Sequence, residues 1–143
     1  SAIARFYRYV ILNRPVNSAL DRRRVTWVPL PLDEARMRMA AAHLLGEHDF
    51  SAYRAQCCQS KSPRRRVYLI DVYRQGERVI MDIAANAFLH HMIRNIAGVL
   101  INVGVGKQEP DWAKAVLESH DRRQGGVTAP PDGLYFGGVA YPP

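Results

Sequence analysis

Between Ile83 and Gly106 the chain carries one formally charged residue, Arg94, in a run otherwise rich in apolar side chains. Phe88, Met92, Ile96, Val99 and Val103 recur there at the spacing of one helix face, widened by Leu89, Ile93 and Leu100, which predicts a largely buried helix over 88–103. Whatever this chain folds into must accommodate that guanidinium. Burying an unpaired charge is costly, so the fold has to place a carboxylate, a phosphate or a water-filled cleft beside Arg94. The anion has two possible sources. One is a structural aspartate, Asp71 or Asp82, on the neighbouring hairpin; the other is a functional partner. On the expected helix His90 and His91 stand one turn before Arg94 and extend it into a polar strip.

The remaining segments supply the elements against which such a helix can pack. Ala4 to Leu12 alternates with the period of a strand, and Asn13-Arg14-Pro15 ends it. Leu32 to Leu45 reads as a helix capped by Asp33 and stopped at Gly46, with Met37, Ala40, Ala41 and Leu44 on its apolar face and a Glu34–Arg38 pair. Residues 47–63 are polar and read as a surface loop. Val67 to Tyr73 and Val79 to Ala85 flank Gln75-Gly76-Glu77 as an antiparallel hairpin. Pro110 opens a helix carrying Trp112, Val116 and Leu117, and Leu134 to Tyr141 returns to strand. This order predicts an α+β fold: an antiparallel β-sheet with helices packed on one face, in a single domain over 1–143.

Charge is distributed unevenly. Residues 1–66 hold 13 Lys or Arg against 5 Asp or Glu, and residues 67–143 hold 7 against 8. Arginine accounts for most of the cations, and its planar fork suits phosphate and base recognition. The basic positions Arg5, Arg8, Arg22, Arg23, Arg24, Arg54, Lys61, Arg64, Arg65 and Arg66 are interleaved with Tyr7, Tyr9, Phe50, Tyr53 and Tyr68. Cations that track phosphates, with rings that stack on unpaired bases, form a candidate RNA-binding surface, although any one of these rings can equally belong to the core. No window has the roughly 20 consecutive apolar residues of a membrane span, and the first residues lack the apolar core of a signal peptide, so the expected location is the cytoplasm.

A metal site is not expected. Adjacent histidines on a helix diverge by about 100°, which does not converge His90 and His91 on one ion. Cys57 and Cys58 are likewise adjacent, poorly placed for a bridge or a metal, and are expected as packing residues.

The string Asn86-Ala87-Phe88-Leu89-His90-His91-Met92-Ile93-Arg94-Asn95 resembles the helix signature of the tRNA pseudouridine synthase A family almost position for position. Tyr7-Arg8-Tyr9, Leu45 to Phe50, Arg54 to Ser60 and Thr128 to Tyr135 are similar to further segments of that family, in the same order. The resemblance covers essentially the whole chain as the C-terminal portion of such an enzyme. It implies isomerisation of uridine to pseudouridine in the tRNA anticodon stem-loop, without cofactor, by a homodimer. It also implies roles: Arg94 as the partner of the catalytic aspartate, Tyr7 as the tyrosine packed on the flipped base, and Leu134 or Phe136 as a wall of the base pocket. The family's aspartate stands in a Gly-Arg-Thr-Asp motif that this sequence does not contain. Neither Asp49, Asp71, Asp82 nor Asp132 has that context. The chain alone is therefore expected to be inactive, and a stand-alone RNA-binding module is the alternative.

Overall fold

The computed structural model describes residues 2–21, 23–57 and 60–143; Arg22 and Cys58, both singled out above, lie outside the described residues. Its organising element is strand β1 (Ala4–Asn13), which is paired along both edges. On one edge Arg5 to Leu12 pair antiparallel with β5 (Arg78–Ala85), which continues through β4 (Arg64–Gln75) to β3 (Gly46–Asp49). The other edge is divided. Ala4 to Tyr9 pair antiparallel with β6 (Leu134–Ala140), and Ile11 to Asn13 pair with β2 (Thr26–Val28), which runs parallel. Among the described residues the sheet has six strands and is mixed, because this short parallel contact breaks the antiparallel rule expected for it.

Among the described residues three α-helices complete the α+β fold: α1 (Glu34–Ala42), α2 (Met92–Gly104) and α3 (Asp111–Ser119). The alternation of β1 divides its side chains between two clusters. Tyr9 and Ile11 join the main core with Met37, Val72, Met81, Ile96 and Val116, whereas Val10 and Leu12 form a small second cluster with Val25. Asp33 caps α1 by accepting from the Arg36 N–H at 3.1 Å. At the β4–β5 turn, Gly76 has φ +59 and is followed directly by Glu77, so two residues close the hairpin with glycine in the position that requires positive φ.

Four expectations are corrected. Helix α2 begins at Met92, not Phe88, because the His90 carbonyl accepts from the Ala55 N–H at 2.9 Å and His91 turns into the left-handed region at φ +61. The polar segment 47–63 contains strand β3 and a 3-10 turn at Ser51–Tyr53. Glu34 pairs with Arg74 across to β4 at 3.2 Å, while Arg38 donates to the Val72 carbonyl at 3.1 Å, so their helical pair does not form. Cys57 is exposed and is not a packing residue.

Helix α2 owes its burial partly to a missing side chain. A Cβ at Gly98 would stand 2.2 Å from the Val127 carbonyl oxygen, so glycine there lets the 127–129 segment lie directly on the helix. In an open helix Gly→Ala stabilises by about 1 kcal/mol. Here the clash is with backbone, and Gly98→Ala is expected to destabilise by about 1–3 kcal/mol in urea unfolding. A more stable variant would contradict the close approach.

Candidate active-site cleft

Where β1, β6 and the first turn of α2 meet, a cleft of about 590 Å³ opens, lined among others by Tyr7, Phe88, His91, Arg94, Pro131 and Leu134. Tyr7 projects from β1 on the same face as the buried Tyr9. Its ring is held edge-on by Phe88, with centroids 5.2 Å apart and planes at 84°, and by Phe136 at 5.3 Å and 70°. Half of that bracket was not foreseen: Phe88 belongs to the irregular segment before α2, not to a helix face.

Arg94 is half-buried in the first turn of α2. Its Nε donates to the Ala129 carbonyl at 2.8 Å, and the Ala129 N–H donates back to the Arg94 carbonyl at 3.1 Å. The guanidinium is thus held by one edge. Among the described residues it has no ion pair. The structural aspartates considered as partners are elsewhere. Asp82 accepts from Arg8 Nε at 2.8 Å and from the Tyr73 hydroxyl at 2.8 Å, and Asp71 is exposed. The polar strip expected on the helix is instead a pair of imidazoles, His90 and His91, stacked at 4.0 Å on the preceding turn. Partial burial, then the charges of His90, Arg94 and Arg122, lower the His91 pKa below the usual imidazole value and favour its neutral form. No group of three or more potential metal ligands occurs among the described residues.

The segment that holds Arg94 is itself anchored. The Tyr9 hydroxyl donates to the Pro130 carbonyl at 2.6 Å and is paired with Thr26 Oγ1 at 2.6 Å, which burial requires of a phenol whose pKa it pushes up to about 12. Pro130 leads through a 3-10 turn (Pro131–Gly133) into β6, which delivers Leu134 to the cleft. Phe136 touches Tyr7 but faces a second groove and is 58% exposed, so of the two pocket candidates Leu134 is the one beside Arg94.

The basic candidates fall into two groups. Arg8 and Arg24 line the groove on the sheet face opposite the main core, where Arg78, not singled out from the sequence, joins them. Arg5 and Arg64 to Arg66 stand at one end of the sheet, because Arg5 and Val67 both pair with Ala85. There Arg64 and Arg66 share Glu47 at 3.2 and 3.3 Å. Arg65 turns back onto Ser60 Oγ and the Ser62 carbonyl, and Arg54 also reaches Ser60. Arg23 and Lys61 are exposed. Tyr9, Phe50 and Tyr53 are core residues, whereas Tyr68 is exposed.

Residues 40–142 match the family model described as tRNA pseudouridine synthase. The chain belongs to that family. It is 66% identical to tRNA pseudouridine synthase A of Methylococcus capsulatus over 142 residues, 99% of this chain and 52% of that relative. To the Nitrosococcus oceani protein of the same name it is 58% identical, and to that of Pseudomonas aeruginosa 52%, each over 99% of this chain. The chain spans about half the length of the curated relatives it matches. No helix among the described residues is long and apolar enough to cross a membrane.

The Arg8–Asp82 pair gives a pH signature separable from the cleft. Partial burial acts to raise the Asp82 pKa, but the hydrogen bonds from Arg8 and Tyr73 outweigh it and hold the carboxyl below its ordinary value. A depressed folded pKa contributes stability above the unfolded value of about 3.9 and loses it as pH falls through the folded value. Asp82→Asn is therefore expected to cost up to about 1 kcal/mol at pH 7, the Arg8 side being exposed, with the difference from wild type vanishing in acid. Equal destabilisation at pH 7 and pH 2 in thermal unfolding would contradict it.

Proposed function

We propose that residues 1–143 form the C-terminal domain of a tRNA uridine isomerase and supply one wall of its active site, while the catalytic aspartate comes from the part of the enzyme that this chain does not span. The observation that carries the reading is the state of Arg94. Its guanidinium is gripped through Nε by a backbone carbonyl, opens into a cleft beside a bracketed tyrosine, and has no carboxylate among the described residues.

In the reaction a uracil leaves its ribose through N1, turns, and is rejoined through C5; the C5 proton is lost and N1 gains one, so the product is an isomer. A carboxylate beside Arg94 would be kept anionic and oriented for that chemistry. Tyr7 presents a ring for the flipped base to pack on, and its hydroxyl is a candidate acceptor for the C5 proton. Leu134 supplies an apolar side to the pocket. The two basic groups, one at the sheet end and one on the opposite face, provide phosphate contacts for a tRNA larger than the cleft. A homodimer in the cytoplasm belongs to the same reading on the strength of the family resemblance. Sedimentation of the full-length protein as monomer alone at high concentration contradicts that part.

In the full-length enzyme Arg94→Ala is expected to lower the single-turnover rate about a hundredfold to several-thousandfold, the equivalent of about 3–5 kcal/mol lost from a broken charge pair. Affinity for tRNA, resting on many phosphate contacts, should hardly change. The isolated chain should release no tritium from C5-labelled uridine in tRNA. Wild-type turnover with sharply weakened binding would make Arg94 a phosphate contact instead.

A further inference from the structure

The segment from Gly126 to Pro130 is fastened at every residue. Gly126 offers its carbonyl to Arg122 Nη1 at 2.9 Å, Val127 lies on Gly98, Thr128 bonds to Asn95, Ala129 grips Arg94, and Pro130 receives the Tyr9 hydroxyl. The middle of this strap is fixed by a closed polar triangle behind the cleft. Thr128 Oγ1 donates to Asn95 Oδ1 at 2.6 Å, and Arg122 Nη2 donates to both Thr128 Oγ1 at 2.7 Å and Asn95 Oδ1 at 2.8 Å. Asn95 completes its bonding by donating Nδ2 to the Tyr53 carbonyl at 2.9 Å and is only 2% exposed.

A buried carboxamide with its polar atoms satisfied has a fixed orientation, so the triangle sets where Thr128 can be. Ala129 is the next residue, and its carbonyl sets the direction of the guanidinium. Helix α2 thus presents Arg94 to the cleft and Asn95 to the strap as adjacent residues. A displacement of the strap would be transmitted to the hydrogen bond that aims Arg94.

We infer that Thr128, acting with Asn95 and Arg122, is a positioning residue for catalysis: it fixes the Ala129 carbonyl and through it the catalytic direction of Arg94. This rests on the role proposed for Arg94 and adds a device that none of the family likeness assigns. Thr128→Val keeps the shape of the side chain but removes the hydroxyl that bridges Arg122 and Asn95; Thr128→Ser keeps it.

The test is a double-mutant cycle in the full-length enzyme, reading single-turnover rate and tRNA affinity for Thr128→Val and Thr128→Ser, alone and combined with Arg94→Ala. Thr128→Val should slow turnover about tenfold, the loss expected from one misplaced hydrogen bond, with affinity unchanged. Thr128→Ser should restore the rate. In the Arg94→Ala background Thr128→Val should have no further effect, because the residue it positions is gone. An equal loss in both backgrounds would make Thr128 a structural residue and overturn the inference, as would a wild-type rate for Thr128→Val. Slow turnover for Arg94→Ala together with a normal rate for Thr128→Val removes only this inference, whereas normal turnover for Arg94→Ala removes the functional reading as well.

Discussion

The grip of the Ala129 carbonyl on Arg94 depends on how closely a loop can approach a helix. Backbone lies on backbone at Gly98, and the reciprocal bonds between Arg94 and Ala129 follow from that proximity. A guanidinium with five donors can be held through one of them and still present the rest. That division of labour leaves the rest of a half-buried cation open to the cleft, with no ion pair to a carboxylate among the described residues. The sheet contributes the opposing surface: Tyr7 faces the cleft from β1, a strand hydrogen-bonded along both edges.

The two faces of the sheet serve different ends. On the helix side β1 delivers Tyr7, Tyr9 and Ile11 to the core or the cleft. On the other side Arg8 pairs with Asp82 under an open groove. A period of two in a single strand is enough to separate the pocket from one of the two cationic surfaces, and Asp82, opposite Arg8 in the register, is held by Arg8 and not by Arg94.

Much of this was legible in the sequence because it rests on periodicity and on isolated charge. Arg94 stood out as a lone cation in an apolar run, and the strands β1, β4, β5 and β6 followed from alternation. The start of α2 did not. Phe88 and Leu89 continue the helical spacing, but the stretch from Phe88 to His91 is non-helical and ends in a turn pinned by a hydrogen bond from Ala55 to His90, a long-range contact that spacing cannot reveal. Strand β3 reads Gly-Glu-His-Asp and has no apolar period; it is a strand because β4 extends past it and offers an edge. The choice of Arg74 over Arg38 by Glu34 was hidden for the same reason: tertiary proximity overrode a local helical pair.

The least legible part of the site is a main-chain oxygen. The Ala129 carbonyl has no signature in an amino-acid sequence, and its presence at Arg94 follows only from the folded course of 126–130. That same oxygen makes the account sharply testable. In a crystal structure of the full-length protein, Arg94 Nε should still be bonded to the Ala129 carbonyl, and the terminal nitrogens should lie within hydrogen-bond distance of a carboxylate from outside residues 1–143. A guanidinium turned away from the cleft, or paired with Asp71, Asp82 or another carboxylate of this chain, would contradict it.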